Sequence, residues 1–389
     1  MKVSKLVLPI IVIAQFCCTS LWFAGNGIMN NLITDFNLQE NAISYLTSAV
    51  QFGFITGTLL FALYTIVDRF SPSKIFFFCA VLGAVFNLGL IYEEQTLLTL
   101  ISLRFFTGFF LAGIYPVGMK IATDYYNKGL GKSLGFLVGA LVLGTALPHL
   151  LKDILNNTSW KSVVLSTSIL AVCGGLILLI FVKDGPFRVQ GKSLDLSICV
   201  KIFKDSNFKK AAFGYFGHMW ELYTFWTFVP LALITYQKTH LNVNLNISLL
   251  TFVIIGIGFF SCILGGFISE KIGALKSAFS FLLLSFFCCL ISPFLFTVEN
   301  EFIFFLIFWG MVVIADSPLF STLIAKNAPD KDKGTALTIV NCIGFSITII
   351  SIQLFTVLQS VISPNLIFLI LGIGPLIGLI NLATKTKSI

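Results

Sequence analysis

Charged side chains are what this sequence lacks. Asp, Glu, Lys and Arg make up 11% of its 389 residues, against roughly 25% in an ordinary soluble domain. So little charge cannot cover a water-facing surface, which excludes a soluble globular protein. Histidine is scarcer still: three residues are too few for a metal-rich centre. The nine cysteines are odd in number, scattered, and include no CxxC pair. All but Cys199 fall in apolar runs, where they serve as small hydrophobes rather than as a disulfide or zinc framework. No HExxH or P-loop occurs, so the motifs of a zinc protease or an ATP-driven pump are missing. Neither an enzyme nor a cofactor is expected.

What the chain does have is length in its apolar runs. Hydrophobic residues are 57% of the total, 42 of them Phe, and the mean hydropathy is +0.96. Polar breaks divide the chain into twelve candidate spans. They lie near 6–29, 42–66, 74–92, 98–121, 133–151 and 161–182 in the first half. In the second they lie near 211–236, 247–268, 276–297, 302–325, 335–357 and 365–383. Each is close to the ~20 residues a helix needs to cross a bilayer. Lipid offers the backbone no partners, so helices are required. A porin-like barrel would instead show alternation over about ten residues. Lys2 and Lys5 before the first run imitate a secretory signal, but no small-residue cleavage site follows and the run is read as an uncleaved span.

The net charge of +8 does not point to nucleic acid once its distribution is counted. With a cytoplasmic N-terminus, 21 of the 25 Lys and Arg lie at that face, among them Arg69, Lys74, Lys128, Lys132, Lys331 and Lys333. Lys152, Lys161 and Lys238 lie at the other, with Glu93, Glu94, Glu299 and Glu301, and Arg104 lies within a span. This is positive-inside anchoring, with both termini inside, and a bacterial inner membrane is expected. The long polar interval, residues 183–210, reads as a cytoplasmic connector containing no domain of its own. The expected organisation is a six-helix bundle over 1–183, a connector over 184–210 and a second bundle over 211–389. The halves echo each other at an offset of 202: Asp68-Arg69 falls on Glu270-Lys271, Gly108 on Gly310, and Pro116 on Pro318. Repeated halves with buried charge between them are a mark of secondary transporters.

Three formally charged residues sit deep in apolar runs: Arg104, Asp316 and Glu221, the last at the middle of GYFGHMWELYTFW. A charge at that depth costs at least about 2.5 kcal/mol on insertion scales, so each needs a partner, a proton or water. One positive and two negative charges in three runs suggest a shared polar chamber with a proton site.

The loop after span 2 reads YTIVDRFSPSK and its repeat after span 8 reads GGFISEKIGALK. Span 4 reads RFFTGFFLAGIYPVGMK and span 5 GFLVGALVLGTALP. With these segments the chain resembles a permease of the major facilitator superfamily over essentially its whole length. The family's G-x-L-x-D-R-x-G-R loop keeps Asp68 and Arg69 but has Tyr64 and Ser71 for its glycines. The repeat keeps Gly266 and Gly273 and has Glu270-Lys271 for the acid–base pair. The resemblance implies an all-α membrane protein of twelve helices in two pseudo-symmetric bundles. It makes Asp68, Arg69, Glu270 and Lys271 loops that lock one conformation, and it links Arg104 to proton coupling in some branches. Gly135, Gly139 and Gly144 resemble an exporter pattern with Ala140 in place of its proline, although four-residue spacing of small residues also serves close helix packing. LWFAGN, AGIYPVGMK, GYFGHMWELY and ADSPLFS look like a bacterial branch of unassigned substrate. Nitrate and nitrite porters carry arginines in spans 2 and 8, and these spans have none.

In that family spans 1, 4, 7 and 10 line the cavity, and here they hold the most conspicuous buried polar groups. Gln15, Thr19, Trp22 and Asn26 share one face of span 1. Arg104 and Tyr115 share a face of span 4, His218 adjoins Glu221 with Phe225 following, and Trp309 and Asp316 lie on one stripe of span 10. The expectation is a proton-carrying pair, Glu221 and Asp316, with Arg104 as charge partner or solute anchor. Gln15, Trp22, Asn26, Tyr115, His218, Trp226 and Trp309 would line the solute cavity, with Trp220 as a further wall. A static charge network stays open as the alternative. His218-x-x-Glu221 has metal-ligand spacing but lacks further ligands on facing helices, so no metal is expected. The function expected is transport of a small organic solute, proton-coupled, by a monomer. The alternatives are a transporter-like receptor, for which no signalling domain is seen, and a uniporter.

Overall fold

The structure is a computed structural model describing residues 6–126, 130–188, 198–240, 243–298, 301–329 and 332–384, with no side-chain detail at 130–132 and 199. Lys2, Lys5, Lys128, Lys331, Glu299, the tail KTKSI and the side chains of Lys132 and Cys199 lie outside the described residues.

Among the described residues every regular element is helical, and nine helices are long and apolar enough to cross a membrane. These are span 2 (Ala42–Leu63), span 3 (Pro72–Ile91), span 4 (Leu97–Tyr125), span 5 (Ser133–Ile154), span 6 (Lys161–Phe181), span 8 (Ile247–Ile272), span 9 (Ala274–Leu295), span 10 (Glu301–Asn327) and span 11 (Lys333–Leu358). The other three are built differently. Span 1 comes in pieces, Val7–Thr19, Ala24–Gly27 and Met29–Asp35. Span 7 is one helix of 34 residues, Ser206–Thr239. Span 12 opens as a 3-10 turn, Ile367–Gly372, and continues as Ile373–Ala383. Very exposed rings such as Phe294 (73%) and Phe304 (74%) face outward from the bundle, as a lipid-bathed surface requires.

Proline places the breaks in spans 4 and 10. Each span resumes with proline in its first turn, at Pro116 of Tyr115–Tyr125 and Pro318 of Ser317–Asn327. A proline cannot donate to the carbonyl four residues back. For Pro318 that carbonyl is Ile314, and Cys262 Sγ approaches it at 3.8 Å. The same device recurs in span 9, where Ser292 Oγ donates at 2.9 Å to the carbonyl of Cys289, freed by Pro293.

The repeat read in the sequence is visible as packing. A Cβ on Gly108 would collide with the carbonyl of Val50 in span 2, and one on Gly310 with that of Ile254 in span 8. Spans 4 and 10 therefore approach spans 2 and 8 backbone to backbone, through glycines at equivalent places. Gly135 and Gly139 likewise bring span 5 against span 8, where an added Cβ would lie 3.2 Å from Cys262 O and 2.9 Å from the Phe259 ring. Close packing accounts for these two glycines without an exporter signature.

Residues 189–197 of the connector lie outside the described residues. Its start is tied to the first half, where Arg188 Nη2 donates to the carbonyls of Asp68 (3.0 Å) and Phe70 (2.7 Å). Span 7 begins at Ser206 rather than at 211, because Asp205 caps it by accepting from Phe208 N at 2.8 Å. The halves meet along spans 1 and 7, 2 and 11, and 5 and 8. Among the described residues, side-chain hydrogen bonds from Gln353 and Asn246 join them. Gln353 Nε2 donates to Ser48 Oγ (2.8 Å) and Ser44 O (3.1 Å), and Asn246 Nδ2 to Asp153 Oδ1 (2.5 Å).

Candidate functional site

Arg104 is fully buried in the first half and bonded there. Nη1 donates to Asn87 Oδ1 at 3.1 Å, and Nη2 donates to the carbonyls of Leu21 (3.0 Å) and Trp22 (2.5 Å). Those carbonyls lie in the stretch where span 1 leaves the helical ladder, so a guanidinium replaces missing backbone donors. Gly25 makes room, since a Cβ there would sit 3.3 Å from Arg104 Nε. Asn87 is held in turn by Ser168 Oγ (3.0 Å) and Thr167 Oγ1 (3.2 Å) of span 6, to which its amide donates.

Glu221 lies inside the second half. Its Oε1 accepts from Ser285 Oγ (2.6 Å), Trp309 Nε1 (2.6 Å) and Cys289 Sγ (3.4 Å). Three donors on one oxygen are what a carboxylate without water needs. Asn87 and Cys289 are separated by the repeat interval of 202, and each serves the buried charge of its own half.

Asp316 occupies the break in span 10, immediately before Ser317–Asn327. His218 Nδ1 lies 2.8 Å from its Oδ1, both side chains being 1% exposed. Asp316 Oδ2 and His218 Nε2 are buried without a hydrogen-bond partner.

Arg104 therefore does not share a chamber with the two carboxylates, contrary to the sequence expectation, whereas Glu221 and Asp316 lie within electrostatic reach of each other. Arg104 is bonded to span 1 and span 3, Glu221 to spans 9 and 10, and Asp316 is paired with His218. The physical reason is that interrupted helices and neighbouring polar groups supplied nearer partners than an opposite charge in the other half. His218, expected in the solute lining, is instead the partner of Asp316. Trp309 is turned to Glu221 and packs on Phe225 and Phe305 of its own half. Trp220, expected as a wall, donates to Ile370 O at 3.0 Å in span 12.

Between the halves lies an aromatic cluster. Trp22 stacks on Tyr223 (5.9 Å between centroids) and Phe345 (5.8 Å) and leans on Phe54 (4.9 Å). Phe23 meets Trp226 edge-on at 6.3 Å, and Tyr223 meets Trp226 at 5.3 Å. Trp22 and Trp226 thus lie where the two halves meet. Asn26 donates to Thr47 Oγ1 at 2.8 Å. Gln15 is fully buried beside Gly118 of span 4, and Tyr115 is half-buried at the restart of that span. Sequence reasoning missed Phe23, Phe54, Tyr223 and Phe345, because a ring on an apolar helix gives no sign of which side it packs. It also missed Asn87, whose signal was a lone polar residue in a long apolar run, and Ser285, one of four serines in span 9 with nothing to single it out.

At the other end Asp68 pairs with Lys120 of span 4 at 3.1 Å, and Lys120 reaches Asp124 at 3.7 Å. Arg69 Nε donates to Thr65 Oγ1 at 3.0 Å. Glu270 and Lys271 are exposed, and the helix that carries them ends at Gly273, whose φ of +89° favours glycine.

Against known proteins, residues 11–353 match the Major Facilitator Superfamily. The fold superposes on the MFS proton:xylose symporter XylE, solved with 6-bromo-6-deoxy-D-glucose bound, with a TM-score of 0.72. The identity is 13%, with 96% of this chain and 94% of that one covered, so the likeness is one of fold. No curated protein matches the chain. The chain belongs to the Major Facilitator Superfamily: it is an integral multi-pass membrane protein and a secondary transporter of a small-molecule substrate, not an enzyme.

Proposed function

We propose that the protein moves a small organic solute by alternating access, that a proton gradient drives it, and that the proton is handled by the second half. The observation that carries the reading is the buried contact between His218 and Asp316 at the interruption of span 10. Imidazole and carboxylate at 2.8 Å can hold one proton or two, and the two states differ in net charge at a site shielded from solvent. A change of charge at a helix break gives the two conformations a differential energy, which coupling requires. Glu221, one helical turn from His218, is the second proton carrier. Arg104 acts through the backbone: it holds span 1 in its broken form beside Trp22 rather than binding proton or solute.

In this reading the halves, 1–183 and 211–389, rock as units about the aromatic cluster. Asp68 and Arg69, with their repeat at Glu270 and Lys271, latch one end, and Gln353 and Asn246 latch the other. The positive-inside count supports cytoplasmic termini, and in this reading the protein acts as a monomer in a bacterial inner membrane.

The test is uptake and efflux of a metabolite panel by proteoliposomes under an imposed pH gradient. Asp316→Asn is expected to abolish gradient-driven accumulation while the protein still inserts. Undiminished accumulation in that variant would remove Asp316 from the mechanism.

A further inference from the structure

We propose that Trp309 is the positioning residue through which the charge on Glu221 acts on the break in span 10. This rests on the reading above, in which Glu221 carries a proton, and adds how span 10 registers it. Trp309 Nε1 donates to Glu221 Oε1 at 2.6 Å, and both side chains are 1% exposed. Ser285 and Cys289, the other donors to that oxygen, belong to span 9, so among the described residues Trp309 is the donor that ties Glu221 to span 10. Seven residues further along the same face of span 10, Asp316 meets His218, which lies three before Glu221 on span 7. Spans 7 and 10 are thus joined twice by polar contacts, once before the break and once at it.

The internal repeat separates this bond from packing. At the interval of 202, Glu221 falls on Thr19 and Trp309 on Thr107. Those hydroxyls donate to carbonyls one turn back, Gln15 O and Leu103 O, each at 2.8 Å. Beside them Gly108 and Gly310 press on the carbonyls of Val50 and Ile254 in the same way. Spans 4 and 10 therefore reach equivalent backbone contacts with and without an indole–carboxylate bond. The Trp309 ring packs on Phe225, Phe305 and Phe368, which a phenyl ring would also do. Its N–H is the part that packing does not explain.

An indole N–H only donates, so its bond depends on what the carboxyl group offers. To an ionised oxygen the bond is charge-assisted, and about twice as strong as to a neutral one. A proton arriving at Glu221 therefore loosens Trp309. The segment that Trp309 anchors, Glu301–Ala315, ends at Asp316, and Pro318 supplies no backbone donor to bridge the interruption. That segment can then shift against Ser317–Asn327, at the point where His218 and Asp316 meet. The titratable groups facing Glu221 are Cys289, with Cys288 beside it, on span 9, Asp316 on span 10 and His218 on its own span.

The test is infrared titration of the full chain in liposomes, without solute or gradient. The band of the protonated Glu221 carboxyl is assigned by its loss in Glu221→Gln. Trp309→Phe keeps a ring and removes the donor, and Ser285→Ala removes a donor on span 9. Each withdraws a bond from the ionised form, so each should move the midpoint of the band upward by about one pH unit or more. Amide hydrogen exchange over 313–320 separates the two. Glu221→Gln is expected to alter it in the wild-type and Ser285→Ala backgrounds, and to alter nothing further in Trp309→Phe. In the unaltered protein an indole N–H stretch should shift with the carboxyl midpoint, whether or not any variant folds. A midpoint unmoved in Trp309→Phe, an exchange change that persists there, or indole stretches constant with pH overturns the role of Trp309. A midpoint that moves as expected supports that role even where Asp316→Asn accumulates solute undiminished. A Glu221 band that never titrates sinks the role together with the carrier reading on which it rests.

Discussion

His218 and Asp316 come from spans 7 and 10 and meet at 2.8 Å where span 10 is interrupted, with neither exposed to solvent. Removing one member of a buried pair strands the other, at a cost of about 3–5 kcal/mol, whereas removing both is milder. His218→Gln is therefore expected to lower thermal stability in detergent more than His218→Gln with Asp316→Asn. A double variant no more stable than the single one would show that the two side chains are not energetically coupled.

Arg104 bonds in two directions, to Asn87 on one side and to the carbonyls of Leu21 and Trp22 on the other. A lysine keeps the charge but, as a single point donor, cannot span both. Arg104→Lys is expected to cost about 2–3 kcal/mol, from charged hydrogen bonds worth ~1.5–3 kcal/mol each, and to slow transport. Thermal unfolding at the wild-type temperature would contradict the role given to this side chain.

Gly108 and Gly310 lie against the carbonyls of Val50 and Ile254, whereas a Cβ on Gly266 would meet nothing within 4 Å. Alanine at either of the first two positions must push two helices apart, and overpacking of this kind costs about 1–3 kcal/mol. Gly108→Ala and Gly310→Ala should reduce yield and melting temperature, and Gly266→Ala should not. Equal behaviour of the three would mean that the paired helices are not in backbone contact.

Gln353 reaches from span 11 to Ser44 and Ser48 of span 2. Loss of these bonds removes about 1 kcal/mol from the closed arrangement at that end, a shift of roughly fivefold in the balance of conformers. Spin labels at the exposed positions Leu98 and Val361, in a background with the native cysteines replaced, should show a larger long-distance population in Gln353→Ala. An unchanged distance distribution would mean that this contact does not hold the two ends together.

Which residues carry the burden of burial was legible in the sequence. Arg104, Glu221 and Asp316 stand out because a charge in an apolar run of spanning length has no cheap explanation. The glycines 108 and 310 and the prolines 116 and 318 were legible as a repeat, and the structure gives that repeat a physical form in matched helix contacts and matched breaks. The partners were not legible. Nothing in the string LWFAGN says that span 1 loses its ladder there and offers carbonyls to Arg104. Nor does FLLLSFFCCLIS say that Ser285 and Cys289 turn toward Glu221.

The sequence alone determined that this chain lives in a bilayer as apolar helices, because so few charges over so long a chain leave the backbone no other solution. It also determined which side chains cannot be indifferent to their surroundings. Tertiary structure decided where each charge found its counterpart, and that both carboxylates are answered within the second half while the arginine is answered within the first. Such choices turn on distances of an ångström or two between residues as far as 98 positions apart, such as His218 and Asp316, and a linear pattern does not encode them.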